Sequence, residues 1–241
     1  MIVMPAMSAP QAASWHGLMD LHERLDHGWT LIGGQLVHLH CAERDYAPLR
    51  PTDDIDTVLD VRAYPDMLEA FTGALVDLGF RPGGISAEGL QHRWLRDEAQ
   101  IDVLLPDGVG ERVAARLGAG GAPTLPTPGG TQALARSESI AVTVEGREGF
   151  VRRPNLIGAL VMKAAAHTAV GDAARGRHRS DFATLTTVLA ARDIRDADLT
   201  KKDRKRLRDM IGATRADHAV MLSQLGVDES LGRLERALDR E

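Results

Sequence analysis

The chain has 241 residues, of which 44% are hydrophobic and 26% are charged, and these values are typical of a globular protein that buries a core of its own. The net charge of -5 excludes a basic coat for nucleic acid over the whole surface, although it allows a local basic patch. The single cysteine, Cys41, excludes an intrachain disulfide and a cysteine-built zinc site. It suits a reducing compartment, so we expect a cytoplasmic protein.

The front half of the chain alternates between helix and strand signals. We expect residues 1–13 to be a frayed tail without the features of a signal peptide, and we expect Ser14 to cap a helix that reaches His27. A short buried strand over 29–32 ends at Gly33-Gly34. The later signals predict a helix from 35, a polar loop over 43–51, a strand over 55–61, a helix over 65–79, strands over 92–96 and 100–105, a short helix near 111–117, and strands over 140–144 and 150–152.

After Pro154 the pattern becomes helical. It predicts a long apolar helix over 155–170, a basic loop over 171–180, a helix over 181–191, a capping box at 200–203 that opens a basic helix, and a last helix near the end of the chain. The expected fold class is therefore α+β, with a mixed β-sheet core and flanking helices over 14–153, followed by a C-terminal helical bundle over 154–241. No apolar run is long enough to cross a bilayer, so we expect no membrane partner.

The main chemical signal is a pair of acids in the segment Asp54-Ile55-Asp56. Alternate residues of a strand point to the same face, so both carboxylates would lie side by side. Adjacent carboxylates repel each other unless a cation lies between them, and Mg²⁺ is the usual hard cation in sites that also bind phosphate. The alternative is a solvated strand face on which Asp53 and Arg50 are ordinary surface partners.

A third acid favours the metal hypothesis. Asp102 lies inside an apolar strand, where an unpaired charge is costly. If that strand neighbours the first, Asp102 completes a triad with Asp54 and Asp56. Such a triad can hold two metal ions for nucleotidyl transfer.

Two glycines precede these acids at a strand-to-helix turn. Gly33 and Gly34 would permit close backbone approach, and the N–H groups at the helix start could bind a phosphate. Most glycine pairs only form a turn, so the pair gains meaning from the acids that follow it.

These segments together resemble the nucleotidyltransferase superfamily of the DNA polymerase β type, and in particular its AbiEii-like branch, which contains toxins of type IV toxin–antitoxin and phage-defence systems. The resemblance covers roughly residues 29–190 and is carried by Leu31-Ile32-Gly33-Gly34, by Arg50-Pro51-Thr52-Asp53-Asp54-Ile55-Asp56, by Ile101-Asp102-Val103, by Lys163, and by Arg179-Ser180-Asp181-Phe182. It implies transfer of a nucleoside monophosphate from a nucleoside triphosphate, with Mg²⁺ or Mn²⁺, to a hydroxyl of an RNA 3′ end such as that of a tRNA. It also implies a partner antitoxin protein.

Lys163 lies in a very apolar helix. Its ammonium group either extends to the surface at a domain boundary or contacts the triphosphate. Asp181 could cap its own helix, orient Lys163, or do both. In this hypothesis Asp54, Asp56 and Asp102 hold metal, Asp102 helps to activate the acceptor hydroxyl, and Gly33, Gly34, Lys163 and Asp181 bind the nucleotide.

Two basic clusters could contact RNA. The first contains Arg175, Arg177 and Arg179, and the second contains Lys201, Lys202, Lys205 and Arg206. Charge runs are commonly solvated faces, and no aromatic residues lie between these cations to stack on bases.

Two other functions stay open. The acceptor could be a protein or a small molecule instead of RNA. Alternatively, the chain could be a nucleotide-binding module without activity, because glycine replaces the serine that many relatives have at position 34 and residues 43–49 form an insertion relative to the family pattern.

Overall fold

The computed structural model describes residues 1–169, 172–195 and 197–239. The strands are β1 (Ile2–Val3), β2 (Trp29–Ile32), β3 (Ile55–Leu59), β4 (Arg81–Pro82), β5 (Arg93–Arg96), β6 (Ala99–Pro106), β7 (Pro126–Thr127), β8 (Ser137–Val144) and β9 (Arg147–Pro154). The helices are α1 (Ala9–Arg24), α2 (Gly33–Ala42), α3 (Met67–Asp77), α4 (Glu111–Ala114), α5 (Gly130–Leu134), α6 (Leu156–Ala169), α7 (Asp172–Thr187), α8 (Ala191–Arg195), α9 (Lys201–Arg215), α10 (His218–Ser223) and α11 (Val227–Leu238). This architecture confirms the α+β class and the helical C-terminal region.

The larger sheet is mixed and has the strand order β2-β3-β6-β5-β4, with β7 pairing to the end of β6. Strands β3 and β6 run parallel, and their other neighbours in this order run antiparallel. A parallel pair needs a crossover, which the intervening chain with α3 provides. The pairing places the beginnings of β3 and β6 next to each other, and this is the edge where both sequence-predicted acidic segments lie.

The N-terminal segment differs from the expected frayed tail. Strand β1 pairs in parallel with β8 in a second, three-stranded sheet of order β1-β8-β9, and Met4 is buried. The first helix begins at Ala9, because Ser8 and Gln11 form a capping box that satisfies its free N–H groups. Ser14 is therefore a buried residue within α1 and not its cap.

The prediction of a basic loop over 171–180 is wrong for residues 172–180, which the structure describes. Residues 172–187 form one continuous helix, α7, so the cations of the first basic cluster lie on a helix. The prediction relied on Gly171 and Gly176, but a single glycine costs a helix only about 1 kcal/mol relative to alanine, which neighbouring good helix formers can offset. Val170 and Gly171, where the predicted helix ends and the predicted loop begins, lie outside the described residues.

The C-terminal helices pack through an aliphatic core. Leu207, Met210 and Ile211 of α9 and Leu231 and Leu234 of α11 are buried. Thr200 and Asp203 form the capping box that the sequence predicts at the start of α9. Among the described residues, no helix combines the length and the apolar character that a membrane span requires. The division of the chain into a 14–153 core and a 154–241 domain stays a prediction.

Candidate active site

Three carboxylates meet at the edge formed by β3 and β6. In this parallel pair Asp56 lies directly opposite Asp102, and one ligand oxygen from each of Asp54, Asp56 and Asp102 lies within 4.8 Å of the others. Asp54 lies just before the first residue of β3, and not on the strand as expected from the sequence. The hydroxyl of Thr52 donates to Asp54 Oδ1 at 2.7 Å, which fixes that carboxylate beside Asp56.

The electrostatics of this carboxylate triad favour a bound cation. Burial, and after it the charges of Asp54 and Asp102, raise the pKa of Asp56 to about 7 against the opposing effect of the Lys163 and Arg50 charges. A divalent cation between the carboxylates would remove this repulsion. Three carboxylates form an all-oxygen donor set of the kind that Mg²⁺ and Mn²⁺ prefer, so the three residues fit a hard divalent metal ion.

Gly33 is a glycine because of Asp56. Its φ of +72° lies in the left-handed region, and a Cβ added there would lie 1.9 Å from Asp56 Oδ2. Helix α2 begins at this residue, two positions earlier than the sequence predicts, and no side chain caps its start. The first N–H groups of α2 therefore have no capping side chain next to the triad, and they can donate hydrogen bonds to an anionic ligand.

Gly34 permits a second close approach. A Cβ at this position would lie 2.6 Å from Thr52 Cγ2. Thr52 is the residue that holds Asp54, and its carbonyl oxygen accepts from the amides of Gln11 and Gln35, each at 2.6 Å. The glycine at position 34 thus lets the residues before β3 pack directly on α2.

Residues 43–51 form the loop that the sequence predicts, and hydrogen bonds tie this loop to α2 and to the C-terminal helical region. His38 Nε2 lies 2.7 Å from the carbonyl oxygen of Arg50, and the hydroxyl of Tyr46 donates to the side-chain oxygen of Gln224 at 3.2 Å. The loop therefore reaches β3 without displacing Asp54 from Asp56.

Lys163 reaches from α6 toward the glycine turn and the triad. Its ammonium group is buried, donates to Asp181 Oδ2 at 2.7 Å, and donates to the carbonyl oxygen of Gly33 at 3.0 Å. It therefore connects the glycine turn to the helical region. The expectation that the ammonium group emerges at the surface does not describe this structure.

Asp181 does not cap a helix, because it lies well inside α7. Of the two roles that the sequence leaves open, the structure is compatible with the orientation of Lys163. Arg50 adds a second cation on the other oxygen, with its Nε 3.9 Å from Asp181 Oδ1. A buried pair of this kind is held in place by the cost of leaving either charge without its partner.

Arg93 is a site residue that the sequence reasoning missed. It lies opposite Asp102 in the antiparallel β5–β6 pair, and its Nε and Nη2 donate to Asp102 Oδ1 and Oδ2 at 3.1 and 3.0 Å. These hydrogen bonds raise the pKa of Arg93 above its ordinary value. The sequence does contain a signal for this pairing. If the hairpin turn lies at Asp97-Glu98, counting outward along both strands places residue 93 opposite residue 102.

The two basic clusters occupy different places. Arg177 lies one turn before Asp181 on α7 and is exposed, whereas Arg179 is paired with Asp217 at 2.7 Å. In the second cluster, Lys201 and Lys202 are exposed at the start of α9, Lys205 is paired with Asp209, and Arg206 lies 3.7 Å from Asp203. Several of the sequence-predicted RNA contacts are thus engaged in ion pairs within the chain.

No protein-family model and no curated protein matches this sequence. Among solved structures, the chain is similar to a protein described as the antibiotic-resistance factor ANT(2'')-Ia, determined in solution. The similarity covers 88% of this chain and 99% of that chain, at 14% sequence identity and a TM-score of 0.47. The candidate function of this chain therefore depends on the arrangement of its own residues.

Proposed function

We propose that the protein is a metal-dependent nucleotidyltransferase that transfers a nucleoside monophosphate from a nucleoside triphosphate to an acceptor hydroxyl. The observation that carries the proposal is the convergence of Asp54, Asp56 and Asp102 within 4.8 Å. The uncapped start of α2 and the buried ammonium group of Lys163 lie beside the same carboxylates and supply the cationic surroundings that a triphosphate needs.

Each residue has a defined part in this reaction. Asp54, Asp56 and Asp102 would hold the divalent cation, which supplies charge neutralisation for the phosphates when bound. The first N–H groups of α2 at Gly33 and Gly34 bind a phosphate, and Lys163 stabilises the triphosphate charge. The acceptor oxygen forms a bond to the α-phosphorus, pyrophosphate leaves, and Asp102 takes the hydroxyl proton.

For the acceptor we propose an RNA 3′ end, such as that of a tRNA. The exposed residue Arg177 lies one turn from Asp181, so a phosphate backbone that follows α7 would approach the pair of Lys163 and Asp181. The resemblance to the AbiEii-like branch further leads us to propose that the enzyme is a toxin restrained by an antitoxin protein.

The test is transfer of label from each α-³²P nucleoside triphosphate in the presence of Mg²⁺ or Mn²⁺ and total RNA. We expect label on RNA with the parent protein and no label with Asp56→Asn. The matched control is Asp53→Asn, which removes an exposed acid two residues before the start of β3 and should transfer at the parent rate. Label on the protein itself or on added hydroxyl-bearing small molecules would replace the RNA assignment, and nucleotide binding without transfer to any acceptor would contradict the enzyme proposal.

The toxin role has a separate test. Controlled expression of the parent protein in a bacterial host should arrest growth, and expression of Asp56→Asn at the same level should not. Equal growth of both cultures would contradict the toxin role, while the transfer assay would still decide whether the protein is an enzyme.

A further inference from the structure

The Arg93 guanidinium donates hydrogen bonds to both carboxylate oxygens of Asp102, one member of the triad. The Asp102 carboxylate is buried, and each of its oxygens accepts one hydrogen bond from the Arg93 guanidinium, at 3.1 and 3.0 Å. This two-point contact is the strong geometry for an arginine–carboxylate pair. With its amide turned so that the oxygen faces the guanidinium, Gln100 accepts from the same two nitrogens at 3.0 and 3.1 Å.

The other nearby cations are occupied elsewhere. Lys163 donates to Asp181 and to the carbonyl oxygen of Gly33, and Arg50 lies against Asp181. Among the described residues, Arg93 is the one arginine or lysine that forms an ion pair with a triad carboxylate. His92 is the other basic side chain nearby, with its Nε2 3.9 Å from Asp102 Oδ2. Arg93 therefore supplies the positive charge nearest to three closely spaced acids.

We propose that Arg93 is the resident counter-cation of the metal-free triad and that it competes with a divalent cation for Asp102. The inference rests on the proposed function, because it assumes that the triad holds metal. A metal ion that uses an Asp102 oxygen must share or displace a guanidinium hydrogen bond, and it also meets the repulsion of a neighbouring positive charge. The Arg93 side chain is 42% exposed, so it has a route into solvent when the metal enters.

The experiment measures binding of Mn²⁺ alone by electron paramagnetic resonance, at one pH and without nucleotide. Arg93→Gln should bind Mn²⁺ about tenfold more tightly than the parent, because the competing charge is gone. Arg93→Lys keeps the charge and should remain close to the parent. The matched control is Arg81→Gln, which removes the same charge from an exposed position on the neighbouring strand β4 and should leave the affinity unchanged.

Unchanged or weaker Mn²⁺ binding by Arg93→Gln would overturn the proposal, as would an Arg93→Lys protein that binds as tightly as Arg93→Gln. A parent protein that binds Mn²⁺ no better than Asp56→Asn would instead contradict the proposed function, so the two failures are distinguishable. Thermal unfolding gives a second measurement: saturating Mn²⁺ should raise the melting temperature of Arg93→Gln more than that of the parent. An Arg93→Gln protein that does not fold even with Mn²⁺ would show a purely structural role and would also overturn the proposal.

Discussion

Asp56 lies against the other two acids of the triad and against the glycine turn. It faces Asp102 across the parallel strands, lies beside Asp54, and has its Oδ2 where a side chain at position 33 would otherwise be. Such an arrangement costs stability without a cation, and it is retained at sites where charge is needed for function. The Arg93 guanidinium compensates part of this negative charge at Asp102, and a bound cation would compensate more of it.

We expect Asp56→Asn to be more stable than the metal-free parent at neutral pH. The folded pKa of Asp56, about 7, lies above its ordinary value of 3.8, so ionisation between pH 4 and 7 favours the unfolded state and lowers the stability of the parent as the pH rises. The variant lacks this titration and should gain about 1–3 kcal/mol at pH 7 relative to the parent. Urea unfolding in EDTA at pH 4.5 and 7.5 measures the difference, and equal pH dependence in both proteins would contradict the expectation.

Gly33→Ala should remove the metal site. The new Cβ would lie 1.9 Å from Asp56 Oδ2, and the φ of +72° costs an alanine about 1–2 kcal/mol. We expect Mn²⁺ affinity to fall at least about tenfold, a change of 1.4 kcal/mol in binding free energy. Gly73→Ala is the matched control, since a Cβ on that helical glycine meets nothing within 4 Å and should be neutral or slightly stabilising. Retained affinity in Gly33→Ala would show that Asp56 can move without loss of the site.

At the scale of elements, the ion pair of Lys163 and Asp181 joins α6 to α7 inside the protein. Removing one partner leaves a buried charge, so Lys163→Met should cost about 3–5 kcal/mol of unfolding free energy. The double variant Lys163→Met, Asp181→Leu should be more stable than Lys163→Met, because it buries no unpaired charge. A double-mutant cycle by urea unfolding tests this, and additive effects would mean that the two groups are not coupled.

Most elements could be predicted from the sequence, because their signals are local. The alternation of β3, the turn between β5 and β6 and the capping box of α9 each depend on residues close together in the chain. Strand β1 could not be predicted, because its two residues form a strand by pairing with β8, whose partner residues lie about 140 positions later in the chain. The sequence predicts a loop at the start of α7 because Gly176 and the charged residues around it give no apolar stripe.

The candidate site was also predictable only where its signals are local in the sequence. The spacing of Asp54 and Asp56 and the burial cost of Asp102 and Lys163 are visible in the sequence. The structure gathers the three acids within 4.8 Å and brings Lys163 to the adjoining glycine turn. The pairing of Arg93 with Asp102 requires the strand register. That Gly33 must be a glycine because of Asp56 requires the three-dimensional distance, which no sequence pattern contains.

At the scale of the whole molecule, an acidic chain presents exposed cations at separate places, with Arg177 on α7 and Lys201 and Lys202 on α9. If RNA follows α7 toward the triad, Arg177→Gln should weaken RNA binding and reduce the slope of log affinity against log salt concentration by about one. The double variant Lys201→Gln, Lys202→Gln should have a smaller effect if α9 is a solvated face. Filter binding at several salt concentrations measures both slopes, and a larger effect of the α9 variant would move the acceptor site to that helix.

The short strand β1 has a practical consequence for anyone who expresses this protein. Its two residues cover the outer edge of β8 at Val142 and Thr143, and the next residue, Met4, is buried. A version of the chain that starts translation at Met4 or Met7 would leave that edge open, and an open strand edge is a template for pairing between molecules. An affinity tag is therefore better fused after α11, where it leaves the edge of β8 covered.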